Sequence, residues 1–563
     1  MQSLKLILPV IIGCFIISCK SSHPANISQL VTVPAEMDQH VSENVKDVLN
    51  YALENNGQIN DSMRLALAPV VQSFYQQNEF KNIWSNKENW APLADSLYNF
   101  IGNSRLYGLF PSDYHFKELQ NLRNKLILDS TAKTDAISWT KADLLLTDAF
   151  MYISLHLRDG RLRPDSIALR SDTASKDSLY INALNRVIIK KQLTSVFNLM
   201  EPSHAGYRNL KAGIPRFLDS MDKKIYTKII YPDNDSSHLV KALQKRFLEG
   251  GYTDSILKHP DSAKLSVMIK KVQRKKGLKV DGKISAGLVR VLNITDADRF
   301  NRIALTMDRF KQLPDKFPER YIWVNLPSYY LRVWDHDTMF MQSKVIVGKP
   351  TTRTPTLNSA ITDMVTYPQW TIPNSIIKKD ILPGLKKNPD YLAKKGFMLV
   401  DAKGNEVDPH SVNWENYTTG IPYKVIQGSG DDNALGILKF NFNNPYSVYL
   451  HDTNQRYLFS NTSRALSHGC VRVQDWEKLA FYIARNDSLH QKTGTVLKYT
   501  TDSIRIWLAE KVKKRIIMQN RIPLYIRYFT CEGKDNKVIF YDDIYGEDKV
   551  LSDKYFVGKN VLL

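Results

Sequence analysis

The spacing of hydrophobic residues changes near residue 320, and this change limits what the chain can fold into. Before it, apolar residues recur at helical spacing, for example within 93–101 and 142–157. Beyond it, β-branched and aromatic runs such as 321–326 and 343–348 are separated by turn residues. A chain of 563 residues also exceeds what one hydrophobic core usually supports. We therefore expect a multidomain α+β protein, helical first and mostly β afterwards, with about three to four domains.

A thiol and two imidazoles lie within one short stretch of the β-rich region. Cys470 follows Gly469, and His451 and His468 stand nearby in the sequence. A thiol attacks as its thiolate, and because the ordinary pKa of a cysteine is about 8.5, little thiolate exists at neutral pH without a neighbouring base or cation. Either imidazole is a candidate for that base. The stretch therefore predicts a cysteine nucleophile assisted by a histidine.

Backbone geometry favours His451 as the base. Neighbouring Cβ atoms of an extended chain diverge, so His468 flanks Cys470 without easily aiming a ring nitrogen at its sulfur. His451 ends an apolar run, 448–450, which predicts a strand beside the strand of Cys470. Asp452 or its carbonyl is then expected to orient the imidazole.

The loop around the thiol carries further candidate groups. Gly469 lets the backbone turn, so the amides of His468, Gly469 and Cys470 are candidates for an oxyanion hole. Arg472 is expected to stiffen the loop and to favour anionic ligands. A helix predicted at 476–485 has its amino end close to Cys470, which would favour the thiolate.

Two other interpretations compete with catalysis. A lone cysteine is more often buried and inert, and a lone histidine is more often a satisfied polar residue. His451, His468 and Cys470 could also ligate zinc. Structural zinc sites, however, take four ligands, usually in closely spaced pairs, and this stretch has no Cys-x-x-Cys or His-x-x-x-His. Catalysis is therefore favoured over both.

His451, followed by Ser467-His468-Gly469-Cys470, resembles the active-site signature of the L,D-transpeptidases. Further matches to that family lie at 347–348, 354–355, 367–373 and 433–436. The resemblance implies that Cys470 is the nucleophile and that His451 is the proton donor and acceptor, without cofactor or metal. The supporting residues that it implies are Ser467, His468, Gly469, Arg472 and Asp452.

The resemblance also implies a substrate and a reaction. Cys470 would attack a peptidoglycan stem tetrapeptide after its third residue, release D-alanine and form a thioester, which an acceptor amine resolves. Water as acceptor would make an L,D-carboxypeptidase, and a protein amine would make an enzyme that anchors proteins to the wall. An alternative of another class is a non-catalytic wall-binding lipoprotein, against which the complete pair His451 and Cys470 argues.

The resemblance extends over most of the chain and predicts its domains. They are a helical scaffold at 61–230, a peptidoglycan-binding-like domain at 231–298, a catalytic domain at 299–500 with a capping insertion at 375–423, and a C-terminal segment at 501–563. In the binding-like domain, Gln273 and Asp281-Gly282 stand at the characteristic places. The alternative for that domain is a spacer that binds no cell-wall glycan.

The amino terminus predicts export. Residues 6–17 are nearly all apolar but too few to span a bilayer, so residues 1–19 are expected to be a signal peptide. The Cys19 that ends the run resembles the lipidated residue of bacterial lipoproteins, although ordinary cleavage near Ser18 is the alternative. Residues 20–60 are polar and are expected to form a tether. These features predict a lipid-anchored protein on the periplasmic face of an envelope membrane.

The net charge limits the classes of partner, and the cysteine count limits the disulfides that the chain can form. The net charge of +20 would suit nucleic acid, but an exported chain does not meet it, so an anionic wall or membrane surface is expected. Beyond the amino-terminal segment only Cys470 and Cys531 remain, which excludes a disulfide framework. Cys531 follows an aromatic strand-like run and is expected to be buried and inert.

Overall fold

The computed structural model describes residues 28–165, 167–170, 177–256, 261–490 and 499–559. The expected signal peptide and the expected lipidation site, Cys19, lie outside the described residues. Within the described ranges, no helix is both long enough and apolar enough to cross a membrane.

Helices build the described residues up to about 220 around one long central helix. They are α1 (Met37–Glu54), α2 (Ala68–Gln77), α3 (Pro92–Gly102), α4 (Phe116–Leu128), α5 (Ser130–Lys133), α6 (Ala136–Arg158), α7 (Asp177–Lys190), α8 (Leu193–Asn198) and α9 (Ala205–Asp219), with a small hairpin of β1 (Ser85–Asn86) and β2 (Asn89–Trp90). Asp135 begins α6 by accepting a hydrogen bond from the Ile137 amide. Because α6 is buried on nearly all sides, α1, α2, α4 and α7 pack around it.

The expected tether at 20–60 is wrong from about residue 30 onward. Helix α1 occupies 37–54 and buries Val41, Val45 and Val48 in the same core as α6. These apolar residues recur at helical spacing, but polar residues separate them, so the average composition is that of a tether. A periodicity test over this segment would have found the helix.

A three-helix unit follows the scaffold and has a hydrophobic core of its own. It consists of α10 (Ser236–Glu249), α11 (Ser262–Lys275) and α12 (Ala286–Asn293), and α13 (Asp296–Lys311) leads out of it. The Gln273 side chain accepts hydrogen bonds from the amides of Asp281 and Gly282 (3.1 and 2.9 Å) and donates one to the Asp281 carboxylate (2.9 Å). The residues that carry the family resemblance here therefore hold a turn together.

The β-rich region contains the remaining elements. In chain order they are β3 (Arg320–Asn325), β4 (Tyr330–Asp335), β5 (Thr338–Gly348), β6 (Leu357–Thr366), β7 (Trp370–Thr371), α14 (Asn374–Ile376), a π-helical turn (Ile377–Ile381), α15 (Leu382–Lys387), β8 (Phe397–Val400), β9 (Lys424–Gln427), β10 (Leu438–Phe442), β11 (Leu450–His451), β12 (Ala465–Ser467), β13 (Val471–Val473), α16 (Trp476–Leu489), α17 (Thr501–Ala509), β14 (Lys514–Ile517), β15 (Pro523–Arg527), β16 (Cys531–Lys534), β17 (Lys537–Phe540) and α18 (Glu547–Tyr555).

A ten-stranded sheet dominates this region. Its order is β10-β11-β13-β5-β4-β3-β15-β6-β14, with β12 beside β5. Strand β6 pairs with β15 at one end and with β10 further along, so the path of strands closes on itself. One face of the sheet buries a cluster that includes Val345, Leu450 and Val471, and α16 packs on the same cluster through Leu479 and Ile483. The chain is thus the multidomain α+β protein that its periodicity predicts.

Two strands of the predicted C-terminal segment, 501–563, join the ten-stranded sheet. Strand β15 lies between β3, which it pairs in parallel, and β6, which it pairs antiparallel. Strand β14 also pairs with β6. The C-terminal segment therefore completes this main sheet. Pairing between strands about 200 residues apart, as in β3 and β15, leaves no local pattern from which sequence analysis can recognise it.

The insertion is a folded subdomain that is larger than expected. Strands β7, β9 and β8 form a separate three-stranded sheet, in that order. Its core contains Ile377, Leu385, Leu399 and Trp414. The predicted insertion ends at 423, before β9, but β9 pairs with β7 and β8, so the insertion extends over 370–427 rather than 375–423. Because Thr366 pairs with Leu438, the whole insertion leaves the main sheet at the tip of the β6–β10 hairpin.

Candidate active site

Three neighbouring strands present a row of polar side chains on the face of the sheet opposite its core. On β10, β11 and β13 the alternate residues, among them Phe440, Leu450 and Val471, lie in the hydrophobic core. Lys439, His451 and Arg472 therefore point to the other face. The register pairs Lys439 with His451 and His451 with Arg472, so the three side chains are direct neighbours.

Cys470 and Tyr449 lie one step further along the same face. Each precedes a member of the row by two residues, and the Val471 amide donates to the Tyr449 carbonyl at 3.0 Å, which places the two backbones side by side. The rings of Tyr449 and His451 are 5.6 Å apart. Cys470 is half-buried, and its sulfur lies 4.0 Å from the Ser447 carbonyl. The expected strand beside the Cys470 strand is thus present, and it holds His451 diagonal to the thiol.

His451 is buried and held at one ring nitrogen. Its Nδ1 contacts the carbonyl of Asp452, and because a carbonyl only accepts, Nδ1 carries the proton and Nε2 is left as the acceptor. Burial, together with the charge of Arg472, lowers the pKa of His451 to about 3. The imidazole is therefore neutral at physiological pH and able to take a proton.

The carboxylate of Asp452 is engaged away from the imidazole. It accepts a hydrogen bond from the Ile437 amide at 3.1 Å and pairs with Arg456 at 2.7 Å. Of the two alternatives that the sequence leaves open, the carbonyl of Asp452 orients the imidazole. The carboxylate instead fixes the turn that leads into β10.

The resting form of Cys470 is a neutral thiol, whereas the amino end of the predicted helix was expected to favour the thiolate. Burial raises the pKa of the Cys470 thiol, although the hydrogen bond from Tyr449 and the charges of Lys439 and Arg472 oppose this rise. Helix α16 begins only after β13 has ended, three residues beyond the strand. The resting pair is therefore a neutral thiol and a neutral imidazole, which makes a base necessary for attack.

Hydrogen bonds fix the loop that precedes Cys470. Gly469 has a φ of 126°, a conformation that L side chains rarely adopt. The Ser467 hydroxyl donates to the Cys470 carbonyl at 2.6 Å and accepts from the Gly469 amide at 3.1 Å. Thr354 donates to the Gly469 carbonyl at 2.7 Å. Since the Gly469 amide is already engaged, the amides of His468 and Cys470 remain as candidates for the oxyanion hole.

The His468 ring faces the insertion. Its Nε2 lies 2.9 Å from Oδ2 of Asp380, which belongs to the π-helical turn Ile377–Ile381. This contact joins the loop before Cys470, the nucleophile loop, to the insertion and engages the imidazole at Nε2. The structure thus separates the two histidines, with His451 beside the strand of Cys470 and His468 at the insertion.

Sequence analysis missed Lys439 and Tyr449 as site residues. Tyr449 could have been found by counting along its strand, since it stands two residues before His451, whereas the place of Lys439 depends on the register between β10 and β11. Thr354 lies in the stretch 354–355 that matches the family, but its hydrogen bond to the Gly469 carbonyl has no signal in the sequence. The expectation for Cys531 is met, because it is buried and burial raises the pKa of its thiol to about 12. Within the residues described, no group of three or more His, Cys, Asp or Glu could hold a metal ion.

Comparison with known proteins identifies two regions. Residues 319–497 match the family model of the L,D-transpeptidase catalytic domain, and residues 69–213 match that of the Scaffold domain. A Haemophilus influenzae protein named "Putative L,D-transpeptidase" is 33% identical over 251 residues, which are 45% of this chain and 49% of that protein. The chain therefore spans about half the length of this curated relative.

Similar solved structures are distant. An L,D-transpeptidase from Mycobacterium smegmatis is 10% identical, with a TM-score of 0.18 over 37% of this chain and 58% of the other. A mutant L,D-transpeptidase from Enterococcus faecium is 8% identical, with a TM-score of 0.17 over 42% of this chain and 65% of the other. At such low scores the structural likeness carries no argument.

Proposed function

We propose that this chain, which carries an L,D-transpeptidase catalytic domain behind a scaffold domain, cross-links peptidoglycan through a thioester on Cys470. The observation that supports this most is the position of His451. It is a buried, neutral imidazole that the Asp452 carbonyl holds at Nδ1, on the strand that pairs with the strand of the thiol. A neutral imidazole with Nε2 as acceptor can take the proton that a neutral thiol must lose before it attacks.

The reaction proceeds in two halves. Nε2 of His451 takes the thiol proton as Sγ of Cys470 bonds to the carbonyl carbon of the third stem residue. The imidazolium then gives this proton to the leaving amine, the carbon–nitrogen bond breaks, and D-alanine departs. In the second half, an acceptor amine attacks the thioester, loses its proton to His451 and displaces the thiol. The amides of His468 and Cys470 hold the oxyanion in both halves.

The remaining parts of the proposal concern placement. A lipid on Cys19 would hold the protein at the periplasmic face of an envelope membrane, and the three-helix unit would contact cell-wall glycan. The net charge of +20 supports an anionic surface as the surroundings of the mature chain.

Muropeptide mass spectrometry after incubation of the purified protein with isolated sacculi tests the function. We expect new cross-links that start from the third stem residue, together with free D-alanine. Tripeptide stems without cross-links would replace the proposal with an L,D-carboxypeptidase, and peptide-linked protein would indicate wall anchoring. Unchanged sacculi that still bind the protein would leave a non-catalytic wall-binding lipoprotein.

A further inference from the structure

Lys439 is a partly buried cation without an ionic partner. Among the described residues it has no hydrogen bond and no ion pair, and its ammonium rests on the Tyr449 ring at 3.8 Å from the centroid. Two groups could act as anions on Lys439: the Cys470 thiol is neutral at rest, and Asp363 is already engaged by Arg515 at 3.1 Å and by Asn441 at 2.7 Å. Removing an ammonium from water without a counter-ion is unfavourable, so the folded protein bears a cost that an anionic ligand would remove.

Arg472 adds a second cation on the other side of His451. It donates to the Gln455 side chain at 3.0 Å, but no described carboxylate pairs with it, and its Nε is buried without a hydrogen-bond partner. The strand register sets Lys439 and Arg472 on either side of His451, all on one face of the sheet. The general base therefore stands between two cations that lack an anion.

The reaction limits how far from His451 a substrate carboxylate can lie. The imidazole of His451 must reach the leaving amine to protonate it, so this nitrogen stands at His451 when the carbon–nitrogen bond breaks. In an amino-acid leaving group the carboxylate carbon lies two bonds from that nitrogen, about 2.5 Å away. Residues directly opposite each other in a sheet have Cβ atoms about 5 Å apart. The carboxylate thus comes within reach of the two cations that neighbour His451.

We propose that Lys439, assisted by Arg472, binds the free terminal carboxylate of the donor peptide and so selects donors whose scissile bond precedes the last residue. This inference rests on the proposed function and adds to it the residue that reads the end of the donor. Lys439 contacts the substrate in this account, and a carboxylate there satisfies the charge that the fold leaves unpaired.

The test compares two donors across four proteins. The donors are a stem tetrapeptide with a free terminal carboxylate and the same peptide with a terminal amide. The proteins are the wild type, Lys439→Met, Lys439→Arg and the matched control Lys534→Met, which removes one charge at an exposed position of β16. The measured quantity is the ratio of kcat/KM for the acid to kcat/KM for the amide.

We expect the wild type and Lys534→Met to prefer the acid by about 10- to 100-fold, the usual worth of a hydrogen bond to a charged group. Lys439→Met should bring the ratio close to one, mainly through KM of the acid, and Lys439→Arg should restore part of it. If Lys439 only tunes the thiol, its loss lowers both rates by the same factor and leaves the ratio unchanged, which overturns the proposal.

Two further outcomes distinguish a failure of the Lys439 assignment from a failure of the proposed function. A wild type that turns over both donors equally would refute the role of Lys439 while leaving the transpeptidase function standing. A wild type that turns over neither would refute the proposed function itself.

A third donor, amidated only at its other carboxylates, checks which carboxylate Lys439 binds. Should Lys439→Met lose its effect with that donor, the assignment to the terminal carboxylate is wrong.

Discussion

At the scale of single residues, two histidines close to one thiol have different surroundings, from which we expect different tasks. His451 is buried, neutral and held by a backbone carbonyl, whereas His468 is partly exposed and faces Asp380. The position of His451 beside the strand of Cys470 could be predicted from the sequence, because it needed only the apolar run before His451 and the divergence of neighbouring side chains in an extended segment. The position of Lys439 beside His451 could not be predicted in the same way, since it depends on the register between β10 and β11.

Replacing each histidine separates the two tasks. His451→Ala should lower the rate of Cys470 acylation by about 10²- to 10⁴-fold, the usual effect of losing a general base. His468→Ser should keep a measurable fraction of the activity, because its backbone amide remains. Acylation by a carbapenem, followed by mass spectrometry, measures both variants. Equal losses in the two variants would contradict the assignment of the base.

The pH dependence of acylation should follow the low pKa of His451. Only the neutral imidazole accepts a proton, and with a pKa of about 3 it stays neutral at every pH above about 4. The rate of acylation should therefore show no fall between pH 8 and pH 5, where an ordinary histidine would become protonated. Stopped-flow fluorescence over this range, with His468→Ser as the control, measures it. A fall with a midpoint near pH 6.5 in both proteins would contradict the buried base.

At the scale of elements, the insertion is the part on which sequence analysis succeeded least. The family resemblance predicted a cap, but its sheet was missed, because the β-branched residues of β9 resemble those of the strands of the main sheet. Only pairing distinguishes the two, and pairing is not visible in one strand. The insertion contacts the nucleophile loop through Asp380 and His468, so we interpret it as a folded cap rather than a flexible loop.

Deleting the insertion tests this interpretation. Residues Trp370–Gly428 should be removed and the ends joined by a short Gly-Ser linker, because Thr366 and Leu438 already pair. A shorter deletion of 377–417 would strip the core of the subdomain and expose β7 and β9. We expect a folded protein whose ratio of cross-linked to hydrolysed product falls, since an exposed thioester meets more water.

Controls for the deletion are available within the chain. Asp380→Asn removes only the charge that faces His468, and it should lower the product ratio less than the deletion does. Circular dichroism reports whether the deleted protein folds. A folded protein with an unchanged product ratio would show that the insertion does not exclude water.

At the scale of the whole molecule, the scaffold packs directly against the β-rich region. Arg161 and Lys559 both pair with Asp113, so a buried acid of the scaffold holds the C-terminal end of the chain. Gly533 of the β16–β17 hairpin packs so tightly on α9 that a Cβ there would overlap the Asn209 carbonyl. Tyr207 of α9 also shares a hydrophobic core with Trp323 of β3 and Tyr525 of β15, so the scaffold supports the ten-stranded sheet. Neither the strand order nor this packing can be read from local sequence patterns.

The central claim is that Cys470 forms the acyl-enzyme on a peptide. Intact-protein mass spectrometry of the full chain, mixed with a stem tetrapeptide and no acceptor, measures it most directly. The account predicts that the wild type gains the mass of one tripeptidyl group and releases one D-alanine, and that Cys470→Ala gains none. Turnover by the wild type without such an adduct, or an adduct that persists in Cys470→Ala, would contradict it.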